Sequence, residues 1–585
     1  GGDSSSVASS LTSGVTQIHS NYRGFAALKS DGSVVFWGYH QEDYTIGFST
    51  VASSLTSGVT KIFTTLQGAF AAVKTDGSVF TWGDPYNGGN SASVSNSLTS
   101  GVTQIYSNDR VFVALKTDGS VVTWGKSSYG GNSASVSNSL TSGITQIYSN
   151  PSAFAAVKTD GSVVTWGRSS YGGNSSSVAS SLTSGVTQIY STERAFAAVK
   201  TDGSVVTWGY SSYGGNSSSV ASSLTSGVTK IYSQKAVFAA LKSDGSVVTW
   251  GSNSTGGDSS SVASSLTSGV TQIYSNQRAF AALKTDGTVV TWGYRDFGDS
   301  SSVASSLTDV ISITPAVTAF AALKSDGTVV TWGKDISEID YQNYDQSVAL
   351  NSGADSSLVA SSLTDVISIT ASFNYQWPQT KSAFAALKTD GSVVTWGNNS
   401  FGGDSSSVAS SLTSGVTQIF STLEGAFSAL KSDGSVVTWG DSNNGGNSDS
   451  VANSLTSGVT QIYSNDRAFA AVKTDGSVVT WGDSNNGGNS ASVINSLAGI
   501  ENISSTANAF AAIVNAYPTD IFLSSTSVNE NATTATPVGY FLTADANTSS
   551  HNYSLVSGNG DSDNASFTIS GNALLTATSL DYATK

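Results

Sequence analysis

Cysteine and methionine are both missing from this 585-residue chain, and charge of either sign is scarce. Without cysteine there is no disulfide frame, no thiolate nucleophile and no cysteine-held zinc. Three histidines, His19, His40 and His551, are too few and too scattered to suggest a triad or a zinc site. Charged residues make up 11% of the chain, against roughly 25% in an ordinary soluble protein. Ser, Thr, Asn and Gly carry the polar surface instead. The net charge of −15 argues against a polyanionic partner, because nucleic-acid binders gain affinity by neutralising phosphates with Lys and Arg. An acidic surface tolerates or recruits divalent cations. No run of about eighteen apolar residues occurs, so no membrane span is expected in this stretch. The chain opens on Gly1-Gly2-Asp3, partway through a repeat, so a start codon and any signal peptide are expected to lie outside it.

What is present is one unit used many times. Trp-Gly recurs at Trp37, Trp82, Trp124, Trp166, Trp208, Trp250, Trp292, Trp332, Trp396, Trp439 and Trp481, most often 42 residues apart. A twelfth copy begins at Ala509-Phe510-Ala511-Ala512 and stops before its Asp-Gly and its Trp. A fixed period of this length points to a propeller or another repeat architecture. Each unit reads as β. "VTQIYS" is a short β-branched and aromatic run, and "AFAALK" and "SVVTWG" flank Thr-Asp-Gly or Ser-Asp-Gly, a strong hairpin signal. Both of the latter strands are apolar on both pleat faces, so each sheet must be sandwiched, as a propeller blade is between its neighbours.

The rest of the unit is read the same way. "SSSVASSLTSG" is expected to form a weak fourth strand or an irregular return. The repeated Asp is explained by turn chemistry rather than by a ring of catalytic carboxylates. The Lys two residues before it is expected to solvate the strand end or to pair loosely with that Asp. The tryptophans of the motif are assigned to the core rather than to sugar-stacking platforms. "YGGNSSS" is not a phosphate loop, since no Gly-Lys-Ser/Thr follows it.

The copies differ from one another in two short segments, one between "IYS" and "AFA" and one after Trp-Gly. If the three strands run up, down and up, both segments lie at one edge and the Asp-Gly turns at the other. One variable and one constant face are therefore expected. Tyr22, Arg23, Arg110, Tyr129, Tyr171, Arg194, Tyr213, Arg278 and Arg467 would stand on the variable face as partner-binding side chains; Tyr and Arg dominate binding hot spots. Two insertions between Trp332 and Trp396 fall on the same face and add Tyr341, Tyr344, Tyr375 and Trp377. Loops on a rigid scaffold are where binding usually resides.

"ALKTDGSVVTWG" followed by a Gly-rich loop resembles the repeat of the regulator of chromosome condensation family, in its shorter bacterial form. The resemblance covers residues 1–516 and implies an all-β fold, a β-propeller of about seven blades being usual for the family. Twelve copies exceed that number, leaving two tandem rings or one large ring open. The family's frequent His before the Ala-Leu strand is Ala here, as at Ala279, and its Gly-Gln-Leu-Gly becomes Gly-Gly-Asn-Ser. Its nucleotide-exchange and nucleosome-binding activities are accordingly not carried over.

From about Tyr517 the unit disappears. "VNEN", "LTADAN", "SFTI" and "LDYA" resemble a bacterial cadherin-like domain, which implies an immunoglobulin-type β-sandwich over 517–585, cut short before its last strand. The resemblance implies calcium as cofactor, with Glu530, Asp545, Asn547 and Asp581 as oxygen ligands; the acidic end of the family's "LDYE" is Ala583 here. No cofactor is expected in the propeller.

Taken together, the sequence is expected to encode a non-enzymatic, extracellular or cell-surface binding and adhesion scaffold whose partner is a protein or a glycan. A soluble inhibitor-like propeller is one alternative. A lectin or a polysaccharide-acting enzyme using Glu338, Asp340 and Asp345 is another. If the C-terminal resemblance holds, millimolar calcium raises the melting temperature of the chain. An unchanged melting curve across a calcium titration rules out binding by this stretch.

Overall fold

The apolar runs pair as their spacing requires. In a computed structural model, which describes residues 4–11, 14–38, 51–333, 353–373, 381–491, 497, 500–514, 520–525, 527–528, 532–544, 553–555 and 561–578, eleven three-stranded antiparallel sheets and one two-stranded sheet follow one another along the chain. We number these blades 1 to 12. Blade 5 is representative, with an inner strand Val186–Ser191, a middle strand Ala195–Lys200 and an outer strand Val205–Gly209. Asp202 and Gly203 make the hairpin between the last two strands. The Asp202 carboxylate accepts the Ser204 amide at 2.9 Å and its hydroxyl at 2.6 Å, while Gly203 takes φ +73°, which costs Gly nothing.

Strand alternation sends the middle-strand side chains to two different neighbours. Ala195, Ala197 and Val199 face blade 6, where they meet Phe238 and Trp250. Phe196 and Ala198 face blade 4, where Ala153, Ala155 and Val157 receive them together with Trp208. Phe196 and Trp208 are cross-strand partners and stack with ring centroids 5.4 Å apart. One face of every blade is thus small and the other aromatic. A cluster of this kind fills each boundary from blades 1–2 to blades 11–12.

The last cluster closes the circle. Ala509 and Ala511 of blade 12 pack against Phe25, Ala27 and Trp37 of blade 1, and the Ser20 hydroxyl of blade 1 reaches the Ser505 carbonyl at 3.5 Å. The structure is therefore one ring of twelve blades, and the alternative of two tandem rings is set aside. The all-β propeller expected from the repeats is the observed fold.

Two further features hold neighbouring blades together. The carbonyl of each Asp-Gly glycine accepts the first inner-strand amide of the next blade at 2.9–3.2 Å, from Gly32 and Val59 to Gly476 and Ile500. The Ser-rich return is not a strand. It is a 3-10 helix, Ser176–Leu182 before blade 5, which buries Leu182 and lies along that blade's own outer strand. The Asn174 side chain opens this helix by accepting the Ser176 amide at 2.9 Å. Lys200 closes it, donating to the Ser181 carbonyl at 3.2 Å. The Lys of seven other blades reaches a helix end in the same way, and its charge also acts weakly on the turn Asp, the loose pairing expected from the sequence; Lys324 lies 3.9 Å from Asp326. A free carbonyl at a helix end is the nearer and less hydrated acceptor.

Beyond the ring, Asp520–Leu523, Pro537–Ala544, Ala573–Thr576 and Phe567–Ser570 form one antiparallel sheet in that spatial order. Among the described residues no helix is long and apolar enough to cross a membrane.

The Phe–Trp stack is the costliest element to remove. Trp208 is 1% exposed, and its indole N–H donates to the Gly172 carbonyl at 3.0 Å. Trp208→Ala is expected to lower stability by about 3–5 kcal/mol in urea unfolding, and Trp208→Phe, which keeps a stacking ring, by clearly less.

Candidate binding rim

Strand direction decides which residues share a face. The inner strand of blade 5 ends at Ser191 and its outer strand at Gly209, on the same rim, while Asp202 and Gly203 turn at the opposite one. The two variable segments leave from those adjacent ends and are joined by backbone: the Tyr210 amide donates to the Arg194 carbonyl at 2.9 Å. Gly172 makes the close approach there, since at φ +89° an added Cβ would lie 2.7 Å from the Phe196 ring.

Cations and aromatic rings interleave along this rim. The Arg194 guanidinium lies over Tyr171 at 5.1 Å and over Tyr213 at 4.8 Å, so it is held between the loops entering and leaving its blade. Arg110 lies over Tyr129 at 5.2 Å, and Arg278 over Tyr294 at 5.5 Å. Arg23 reaches Asp84 of the next blade's loop at 3.2 Å. Arg467 faces Glu424 at 3.7 Å and Asp483 at 3.8 Å. Where such pairs are exposed they contribute about 0–1 kcal/mol each; Asp84 is buried, and the Arg23–Asp84 and Arg467–Glu424 pairs run from one blade to the next. Tyr22 remains 60% exposed.

Nine of the residues singled out in the sequence therefore stand on one rim, and most spend a ring face or a charge on each other. Tyr341, Tyr344, Tyr375 and Trp377 lie outside the described residues, as do Glu338, Asp340 and Asp345 and all four calcium candidates, Glu530, Asp545, Asn547 and Asp581. The residues flanking the two insertions are described. Gly333 ends an outer strand, and Phe373 pairs with Ser382 at the top of blade 9, so both insertions leave from the variable rim.

Inside the rim, the inner-strand ends of blades 1 to 6 frame a hollow of about 740 Å³. Asn21, Leu66, Asp109, Pro151, Glu193 and Lys235 line it, and Glu193 and Lys235 stand 3.6 Å apart. Sequence reading passed over these residues although they occupy the same variable segments as the arginines. Their signal was the change of side chain at a fixed position. Burial pushes the Asp109 carboxyl up, and burial likewise raises Glu424 and Asp466 farther round the ring. His19 is pulled down by burial and meets Gln17 at 3.2 Å. Among the described residues no three His, Asp or Glu side chains cluster as a metal site would require.

No protein-family model matches the chain, and no curated protein matches it. Several solved structures align with part of it. The computationally designed Ika8 protein does so at 12% identity and a TM-score of 0.21, over 55% of this chain and 96% of its own. Human WBSCR16 aligns at 18% identity and 0.26, over 41% and 77%. Prp20p from Saccharomyces cerevisiae, described with binding properties to Gsp1p and histones, aligns at 15% and 0.25, over 49% and 77%. At these scores the alignments carry no argument of their own. The ring itself defines the class of protein: a repeat β-propeller.

The constant rim carries a series of carboxyls whose ionised form the turn favours. In each of the eleven Asp-Gly turns the Asp carboxyl lies below its ordinary value, first because the Ser or Thr hydroxyl two residues on bonds it, then because that residue's amide does. A carboxyl depressed in the folded state stabilises at pH above its unfolded value, about 4, and the effect fades as pH falls through the folded value. The three raised carboxyls of the variable rim act in the opposite sense and are outnumbered. The urea midpoint should therefore drop as pH is lowered below about 4. Asp→Asn at several of the turns, which keeps the acceptor and removes the charge, should flatten that slope.

Proposed function

We propose that this chain is a non-enzymatic binding scaffold that holds a protein or glycan partner against the variable rim of its ring. In this reading it works outside the cell or on its surface, with the C-terminal segment as spacer or adhesive module. The observation that supports the reading is the contrast between two rims made by the same strands. On one, the Asp-Gly turn and its hydrogen bonds to the next blade are repeated eleven times almost without change. On the other, residue type changes from blade to blade, the flanks of both insertions emerge, and a hollow of about 740 Å³ opens among the inner-strand ends of blades 1 to 6. Variation confined to one rim of a ring whose core does not vary is what a recognition surface requires.

The test replaces residues 334–352 by the short loop of residues 126–131 and, separately, changes Tyr22 and Glu193 to Ala. Wild-type and altered chains are assayed on immobilised matrix proteins, on a glycan array and on intact cells. Loss of retention by tenfold or more, with the melting temperature unchanged, supports the reading. Retention unaffected by every rim change, or depolymerisation of a polysaccharide that disappears with Glu338, Asp340 and Asp345, overturns it.

A further inference from the structure

The net charge of −15 is not shared evenly around the variable rim. The residue after each Trp-Gly holds one structural position, where its amide donates to the carbonyl of the other variable segment of its blade. Lys126 bonds Arg110 in this way and Arg168 bonds Ser152, at 3.2 and 2.9 Å. Asp84, Asp441 and Asp483 make the same bond on blades 2, 10 and 11. The bond runs through main chain, so the fold accepts either sign of side chain there. Cations stand together on blades 3 and 4, and carboxylates stand together on blades 10 and 11.

The arginines that end the other segment divide in the same way. Arg23 and Arg467 meet carboxylates, Asp84 in one case and Glu424 with Asp483 in the other. Arg110 and Arg194 hold the same place on blades 3 and 5 and meet rings instead. Tyr129 lies under both Arg110 and Lys126, at 5.2 and 5.0 Å, and Tyr171 under both Arg168 and Arg194, at 4.9 and 5.1 Å. Each ring thus gathers two like charges. Among the described residues none of these four cations forms an ion pair. Of the carboxylates on this arc, Glu193 is taken by Lys235 at 3.6 Å. Asp109 lines the hollow within electrostatic reach of Arg110 and is one charge against four.

We propose that the rim arc of blades 3 to 5 is the subsite for an acidic glycan, a polymer of sugars bearing carboxylate or sulfate groups. The inference rests on the binding role proposed above for the variable rim and names the partner's chemistry. Cations brought together without an anion repel one another, and a bound carboxylate or sulfate relieves that repulsion while accepting the planar guanidinium fork. Exposed serine pairs, Ser127-Ser128, Ser169-Ser170 and Ser211-Ser212, stand beside the charges on three successive loops and offer hydrogen bonds to sugar hydroxyls. A repeated unit of this kind fits a repeating polymer. Nucleic acid fits less well. Its bases need open aromatic faces, which the cations here share, and its charge of one per about 1.7 Å calls for a denser array of cations. The acidic arc does not forbid the ligand. Packed sheets stand about 10 Å apart, so carboxylates several blades away lie beyond the Debye length of about 8 Å at physiological salt.

The probes are fluorescein-labelled oligogalacturonate and a sulfated glucan, with neutral dextran, oligothymidylate and polyglutamate of similar length beside them. Each is titrated with the intact chain and followed by anisotropy. Saturable binding of an acidic glycan is expected, weaker at higher salt; the probe that binds assigns carboxylate or sulfate. Lys126→Gln with Arg168→Gln, two side chains that contact only their own loops' rings, should weaken it at least tenfold at an unchanged melting temperature. Asp441→Asn with Asp483→Asn on the acidic arc should leave it within twofold. Binding that survives the Lys126 and Arg168 changes, or neutral dextran, oligothymidylate or polyglutamate bound as tightly as the glycan, overturns the proposal. So does failure of both acidic glycans to bind. If retention on matrix or cells still depends on Tyr22 and Glu193 in that last case, the acidic-glycan subsite falls and the rim's binding role stands.

Discussion

Everything in this ring rests on an alanine-lined sheet face meeting an aromatic one. Phe196 and Trp208 are large, flat and stacked, and they need a smooth surface to lie on; Ala153 and Ala155 of the preceding blade provide it. A larger residue at either alanine would hold the sheets apart and open voids that a close-packed interior does not tolerate. The contact is head-to-tail, since the face that gives differs from the face that receives. Contacts of that kind generate closed rings when the rotation between units returns to its start. Here the return comes after twelve units, with Ala509 and Ala511 receiving Phe25 and Trp37.

The same strands divide labour between the two rims. On the constant rim the turn is bonded to its neighbour through main chain and closed on itself by the Asp carboxylate and the Ser or Thr two residues on. On the variable rim main-chain bonds such as Glu193 N–H to the Lys235 carbonyl join some neighbouring blades, and side chains add further links. Arg194 between Tyr171 and Tyr213, or Arg23 against Asp84, ties one loop to the next. Such ties can be exchanged one for another without disturbing the core. A surface assembled in that manner is ordered and still open to change.

Much of this was legible in the sequence, and the reasons for what was not are physical. The Asp-Gly hairpin, the buried tryptophans and the sandwiched sheets follow from turn stereochemistry and from apolar residues on both pleat faces. The 3-10 helix Ser176–Leu182 did not show because Ser-rich stretches have no strong intrinsic preference; its form is imposed by Asn174 at one end and Lys200 at the other. The number of blades in the ring was hidden as well, because closure depends on the angle between neighbours and not on any one residue. Arg and Tyr on the rim were read as free recognition groups. Their mutual stacking needs the loops of successive blades to be side by side, which only the assembled ring shows.

The near-identity of the boundaries has a cost during synthesis. An aromatic face leaving the ribosome finds the correct alanine face and several equally good ones, so nothing in the core alone forbids a blade from being skipped or two chains from sharing one ring. The largest differences from blade to blade are at the variable rim and at the two insertions, one before blade 9 and one between its first two strands. The residues that make the rim diverse thereby also give each blade an address, and a version of this chain with twelve identical blades would fold to a mixture of closed and entangled circles.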